Sequence, residues 1–180
     1  MELESKRLKL QEIAEADVEL IFKLHLSPEV DEYNTLGIPE NMEVTKGLVR
    51  PMIEAQRIKE RKSYDWKIIR KDSGEFIGLA GISLSGNRFK LGEIYYELLP
   101  SHWGYGFATE VAKVLIKAGF DDFHLHKVEA GVATGNIRSI RVLEKSGMTR
   151  EGLRRKILPI RGEWKDNYHY AIVEDDPRDY

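Results

Sequence analysis

Arg7, Leu8, Lys9 and Leu10 alternate polar and apolar side chains, the period-two pattern of a strand with one wet face. The repeat then lengthens. Val18, Ile21, Phe22 and His25 recur at helical spacing and predict a first helix, with Pro28 marking its end. Residues 29–43, rich in Asn, Thr, Gly and Pro, read as a loop, and a second helix runs over 45–61 in spite of Pro51. Period two returns over 64–69 and 75–82. Asp72, Ser73 and Gly74 between them form a turn sequence, so these strands pair as a hairpin, with Gly78 and Gly81 marking a bulge. A strand over 93–99 stops at Pro100, and Ala108, Val111, Ala112, Leu115 and Gly119 then share a helical stripe, which predicts a helix over 108–120. There follow a strand at 127–132, a short helix at 137–146 capped by Gly147, and two strands near 153–158 and 164–173. Helices and strands alternate with neither repeat nor low-complexity linker between them. The expectation is one α/β (α+β) domain over residues 1–180, with about seven strands and about four helices.

Composition narrows the class. The 180 residues are 42% hydrophobic and include three Trp, eight Tyr and six Phe, enough to bury a core. With 28 Lys and Arg against 30 Asp and Glu, the net charge is −2, and no general attraction to nucleic acid or to an anionic membrane follows. The absence of cysteine excludes disulfides, thiolate metal sites and a thiol nucleophile. No apolar run approaches the roughly 20 residues that span a bilayer, and Met1, Glu2, Leu3 and Glu4 lack the basic start of a signal peptide. A cytoplasmic protein is expected.

The segment most suggestive of chemistry lies between the strand at 93–99 and the helix at 108–120. A strand, a loop holding Gly104 and Gly106, and a helix N-terminus make an anion site, because unpaired N–H groups and the helix dipole both favour phosphate. The same glycines equally serve a tight turn. A nucleotide P-loop is excluded, since no lysine follows either glycine, whereas the dinucleotide fingerprint fits Gly104 and Gly106 but meets Thr109 at its third small position.

At this loop the chain resembles the GNAT superfamily of acetyl-CoA-dependent N-acetyltransferases, whose loop pattern is Q/R-x-x-G-x-G/A. Trp103, Gly104, Tyr105, Gly106, Phe107 and Ala108 match it with tryptophan at the first position. Tryptophan there, with Thr109 and Glu110 after Ala108, is similar to the RimJ/RimL group of ribosomal-protein N-terminal acetyltransferases. That group's second signature, Asn-x-x-Ser before Leu-x-x-x-Gly-Phe, appears as Asn136 to Ser139 and then Leu143, Gly147 and Met148, the last in place of Phe. The resemblance covers nearly the whole chain. It implies a mixed, twisted sheet whose two central parallel strands splay around the pantetheine arm of CoA, with backbone amides of 103–108 on the pyrophosphate.

Site assignments follow from resemblance and from chemistry together. Acetyl transfer to an amine needs a base, a polarised carbonyl and a partner for the departing thiolate. Glu93 and Glu97 share one strand face, and the resemblance favours Glu93 as base. The tyrosine many relatives use as acid is replaced by Leu143; the resemblance to the ribosomal-protein type, in which the serine of Asn-x-x-Ser lies by the CoA sulfur, implies that place for Ser139, with Asn136 as cofactor-binding neighbour or helix cap. Arg138 and Arg141 are candidates for the phosphates of CoA, ahead of Lys113 and Lys145. His102, His124 and His126 lie at no metal-site spacing, and no metal is expected.

Between Lys23 and Lys46 stand Glu29, Asp31, Glu32, Glu40 and Glu43 with no Lys or Arg, on what the resemblance makes the acceptor side. This local field suits a cationic amine. A peptide α-amine, with a pKa near 8, is the easiest to deprotonate, which favours a ribosomal or other protein N-terminus over a small cationic amine. The resemblance makes a homodimer unsurprising. The alternative class is a CoA-binding sensor or scaffold module that does no chemistry.

Overall fold

The computed structural model describes residues 1–86 and 88–180. Eight strands form one sheet: β1 (Leu3–Glu4), β2 (Leu8–Glu12), β3 (Ser63–Arg70), β4 (Phe76–Leu84), β5 (Leu91–Leu98), β6 (Lys127–Ala133), β7 (Thr149–Ile160) and β8 (Glu163–Val173). Five α-helices surround it: α1 (Val18–His25), α2 (Pro28–Asp31), α3 (Met42–Ala55), α4 (Phe107–Asp121) and α5 (Ile137–Lys145). The α/β class stands, with one strand and one helix more than the periodicity predicts. β1 is only two residues long and α2 only four, too short for any repeat to register.

Pro28 does not merely end the first helix. It occupies the first turn of α2, where no N–H is needed, and the Ser27 hydroxyl caps that helix by accepting from the Val30 N–H at 3.4 Å. The second predicted helix is corrected at both ends. It starts three residues earlier, where Asn41 Oδ1 accepts from the N–H groups of Glu43 and Val44, and it ends at Ala55 rather than at 61. Gln56 turns the chain there by donating to the Ile13 carbonyl at 2.8 Å.

The strand order is β1-β2-β3-β4-β5-β6-β8-β7, and every neighbouring pair is antiparallel except β5 and β6. This parallel pair is joined only over Leu91–Glu93 and 127–129. Beyond it β5 keeps its bonds to β4 and β6 keeps its bonds to β8, so the two strands separate and leave a gap at their C-terminal ends. α4 covers one face of the sheet through Val111, Ala112, Leu115 and Ile116, while α1 and α3 cover the other through Ile21, Leu24 and Val49. β4, buried on both faces from Phe76 to Ile82, lies between the two cores.

Candidate active site

The loop entering α4 departs from ordinary backbone at two points. Gly104 and Gly106 have φ of +84° and +80°, the left-handed region that only glycine enters without cost. Gly106 is the N-cap of α4 and brings no side chain to its first turn, so the N–H groups of Phe107, Ala108 and Thr109 stay open to a ligand. Trp103 anchors the loop, since its indole N–H donates to the Leu98 carbonyl at 2.8 Å and its ring carries the Arg138 guanidinium at 4.8 Å. The Tyr105 side chain is exposed.

From this loop a cavity of about 760 Å³ runs through the gap between β5 and β6. At one end stand Gly104, Gly106 and the side chains of Arg138, Arg141 and Lys145. Among the described residues these three cations have no carboxylate partner. Lys113 does not join them, being paired with Asp179 at 3.0 Å. The other end is lined by His25, Asn34, Asp65, Tyr95 and Glu97.

At the waist the Ser139 Oγ lies 2.9 Å from the Tyr96 hydroxyl. Asn136 caps α5, its Oδ1 accepting from the Ser139 N–H at 3.2 Å, so the capping role and the place beside the cavity coexist. Leu143 is buried. The phenol at this point, Tyr96, comes from β5. Burial pushes the Tyr96 hydroxyl far above the ordinary phenol range, and the Ser139 bond pulls only weakly the other way.

Glu97 is the carboxylate that β5 brings into the cavity. Its Oε1 lies 2.7 Å from His25 Nε2, and its Oε2 accepts from Asn34 Nδ2 at 3.0 Å. His25 is 5% exposed and closes α1, so a helix end and the following loop both aim at this carboxylate. Glu93 shares the strand face, as period two requires, but it is exposed, pairs across to Glu129 below the splay and does not line the cavity. The structure therefore brings Ser139, Asn136, Arg138, Arg141, Trp103, Gly104, Gly106, Phe107 and Ala108 to one cavity and leaves Glu93 and Tyr105 outside its lining.

Sequence reasoning missed Tyr96, His25, Asn34, Asp65 and Tyr95. The tandem Tyr95 and Tyr96 on a strand was the one available signal, for it puts a phenol on each face. Of the acidic stretch, Glu29 and Glu32 line the cavity, Asp31 is tied to Arg161 at 3.0 Å and Glu43 to Lys46 at 2.7 Å. His102 is buried between Ser101 and Glu75, and His126 pairs with Glu174. Away from the cavity, oxygens of Glu129 and Glu151 and a nitrogen of His169 come within 4.8 Å of one another, but the Lys127 ammonium already bridges the two glutamates.

Comparison with known proteins bears on the family and the fold. The model of the acetyltransferase (GNAT) domain family matches residues 7–149. An uncharacterised N-acetyltransferase of Bacillus subtilis, YoaA, is 34% identical over 172 residues, 96% of each chain. Among solved structures, a GNAT-family acetyltransferase from Bacillus anthracis superposes with a TM-score of 0.83 at 27% identity, over 98% of this chain and 100% of that one. RimL, a ribosomal-protein α-N-acetyltransferase solved with coenzyme A, shares the fold with a TM-score of 0.85 at 19% identity, over 97% and 99% of the two chains.

Proposed function

The chain belongs to the GNAT acetyltransferase family, and from that membership we propose that it passes an acetyl group from acetyl-CoA directly to an acceptor amine within a ternary complex. The observation that carries this reading is one cavity with a cationic, amide-rich end at Gly104 to Ala108 and a carboxylate end at Glu97, joined through the gap between β5 and β6. The residues present fit CoA. Two glycines at positive φ leave the first-turn amides of α4 open for a pyrophosphate, and Arg138 and Arg141 are cations beside them without a carboxylate partner among the described residues, available for the adenosine phosphates.

In this reading the acceptor nitrogen attacks the thioester carbonyl carbon, a C–N bond forms, the C–S bond breaks and CoA leaves as thiolate. Glu97, held by His25 and Asn34, takes the proton from the nitrogen. The base role goes to Glu97 rather than to Glu93 because only Glu97 faces the cavity. Ser139, held by Tyr96, hydrogen-bonds the departing sulfur. With no cysteine in the chain, a thiol-bound acetyl intermediate has no seat, which leaves direct attack as the simplest route.

The same reading covers the finer points. It places the enzyme close to the RimJ/RimL group on the strength of the two motifs around Trp103 and Asn136, takes residues 1–180 as one catalytic domain, and sets it in the cytoplasm, with a homodimer as an unsurprising assembly. The acceptor favoured is a protein or peptide N-terminal amine, ahead of a small cationic amine. Release of the CoA thiol, read by a thiol reagent that meets no cysteine on the protein, tests this on a panel of N-terminal peptides, polyamines and amino-sugars. We expect release with at least one amine, and a loss of about a hundredfold in kcat for Glu97→Gln with Glu93→Gln near wild type. Acetyl-CoA binding without release on any amine would return the sensor or scaffold, and absence of calorimetric binding would remove both readings.

A further inference from the structure

Beyond Glu97 the cavity continues under α3, between Leu48 and Met52 of that helix and Leu79 of the sheet, and reaches Asp65 on β3. This carboxylate has no cationic partner among the described residues. The two cations nearest along its own segment are committed elsewhere, Arg61 to Glu12 and Lys67 to Asp17 at 2.8 Å. Its one hydrogen bond is from the Tyr95 hydroxyl, which donates to Oδ1 at 2.8 Å. Reaching it requires a gap in the strand between. Asp65, Gly81 and Tyr95 are in register across β3, β4 and β5, and a Cβ at Gly81 would stand 2.3 Å from the Tyr95 ring. The missing side chain at 81 thus lets the phenol lie over β4 and fix the carboxylate at the cavity wall. Burial raises the Asp65 carboxyl above its ordinary range, and the Tyr95 bond and the charge of Arg61 pull it back only in part.

We propose that Asp65 is a specificity-determining residue that holds a second positive charge of the acceptor, so that the preferred acceptor is an amine linked through a slender apolar chain to another cationic group. This rests on the acetyl-transfer reading above and narrows its acceptor. Glu97 and Asp65 lie on one sheet face, two strands and two residues apart, which puts their Cα atoms about 12 Å from each other. The reacting nitrogen meets Glu97, the apolar linker lies against Leu48, Met52 and Leu79, and the far cation meets Asp65. Two sources share this chemistry, a free diamine and a peptide whose first residue is basic.

Paired acceptors separate them. Putrescine against pentylamine compares a diamine with a near-isostere lacking the second charge, and peptides beginning with arginine or norleucine make the same comparison at an N-terminus. We expect wild-type kcat/KM to favour the doubly charged member of at least one pair by about tenfold or more, which is about 1.4 kcal/mol. Asp65→Asn should bring that ratio close to unity, and Asp65→Glu should keep part of it. The pair that discriminates names the source. Equal rates within both pairs in the wild type, or an undiminished preference in Asp65→Asn, would overturn the proposal. Calorimetry of putrescine and of the arginine peptide on the CoA-bound protein reads the same contact without turnover: binding lost in Asp65→Asn supports it even if no amine is acetylated, and absence of binding by both to the wild type overturns it. An enzyme that acetylates amines without discriminating refutes Asp65 alone, whereas an inactive protein that binds the dications refutes only the transfer step.

Discussion

Tyr96 and Glu97 are neighbours in sequence and serve opposite sides of the cavity. Alternation along β5 sends the phenol toward Ser139 and the carboxylate toward His25, so in the proposed mechanism one strand serves both the leaving sulfur and the attacking nitrogen. A phenol pushed so far up by burial keeps its proton throughout the working pH range and acts as a fixed donor rather than as a titrating acid. Tyr96→Phe should therefore lower kcat about tenfold, the worth of one hydrogen bond that matters in the transition state, with no new ionisation in the pH profile. An unchanged kcat would remove Tyr96 from the mechanism. Period two was legible for both residues from the sequence. Their partners were not, because His25 lies 72 positions from Glu97 and Ser139 lies 43 from Tyr96, and only the folded sheet brings such separations to hydrogen-bond distance.

The splay depends on elements held at their ends. Gly78 on β4 faces the Glu97 backbone so closely that a Cβ would stand 2.1 Å from its carbonyl oxygen, and neither group has room to yield. The glycines at 78 and 81 thus mark close approach more than a bulge. The irregular register lies beside Gly78, where Ile68 and Ile69 pair with Gly78 and Phe76 and skip Ile77. Gly78→Ala should cost about 3 kcal/mol, a fall in Tm of about 10 °C by thermal melting, and would impair catalysis by moving Glu97. At the other side of the gap the N-terminal segment clamps the anion loop. Glu110 in the first turn of α4 accepts from the Ser5 hydroxyl at 2.6 Å, the Arg7 N–H at 2.8 Å and Arg7 Nε at 2.7 Å, while Arg7 Nη1 donates to the Tyr105 carbonyl at 3.1 Å. Burial pushes the Glu110 carboxyl up, but Ser5 and Arg7 outweigh it and hold it below the ordinary range. Its stabilising contribution is then present above the unfolded pKa and is lost as pH falls through the folded one. Glu110→Gln should raise KM for acetyl-CoA several-fold, leave kcat nearly intact and flatten the acid limb of the stability curve below about pH 4; an unchanged acid limb would show that the clamp carries no linkage. Strong periodicity announced α4, and the motif from Trp103 to Glu110 announced its loop. The helix at 42–55 was over-extended in the sequence reading because the residues that follow, Arg57, Lys59, Glu60 and Arg61, are good helix formers, and only Gln56 bonding to Ile13 and Arg61 reaching Glu12 take the chain away.

Across the whole molecule a near-neutral charge is divided by the sheet gap: cations without carboxylate partners among the described residues lie beside the α4 loop, and carboxylates lie beyond the waist. The carboxylate side is fastened by the far end of the chain. Arg161, at the turn between β7 and β8 with φ of +50°, donates to Asp31 Oδ2 at 3.0 Å and to the Pro28 carbonyl at 2.9 Å. α2 is thereby strapped to a hairpin 130 residues away in sequence. Asp31 is 7% exposed and its Oδ1 has no partner, so Arg161 is the one cation that compensates it among the described residues. Because the guanidinium is half exposed, solvent screens the pair, and its loss should cost about 1–2 kcal/mol rather than the 3–5 of a fully buried pair. The functional cost should fall on one substrate only. α2 and the loop after it carry Glu29, Glu32 and Asn34 into the acceptor end, while the α4 loop is held independently by Trp103 and Arg7. Arg161→Ala should therefore raise the acceptor KM about tenfold and leave the calorimetric affinity for acetyl-CoA unchanged, the pattern of two half-sites built by separate parts of one fold. A matching loss in acetyl-CoA affinity would mean instead that the strap holds the gap itself, and that the two ends of the cavity are coupled through the sheet.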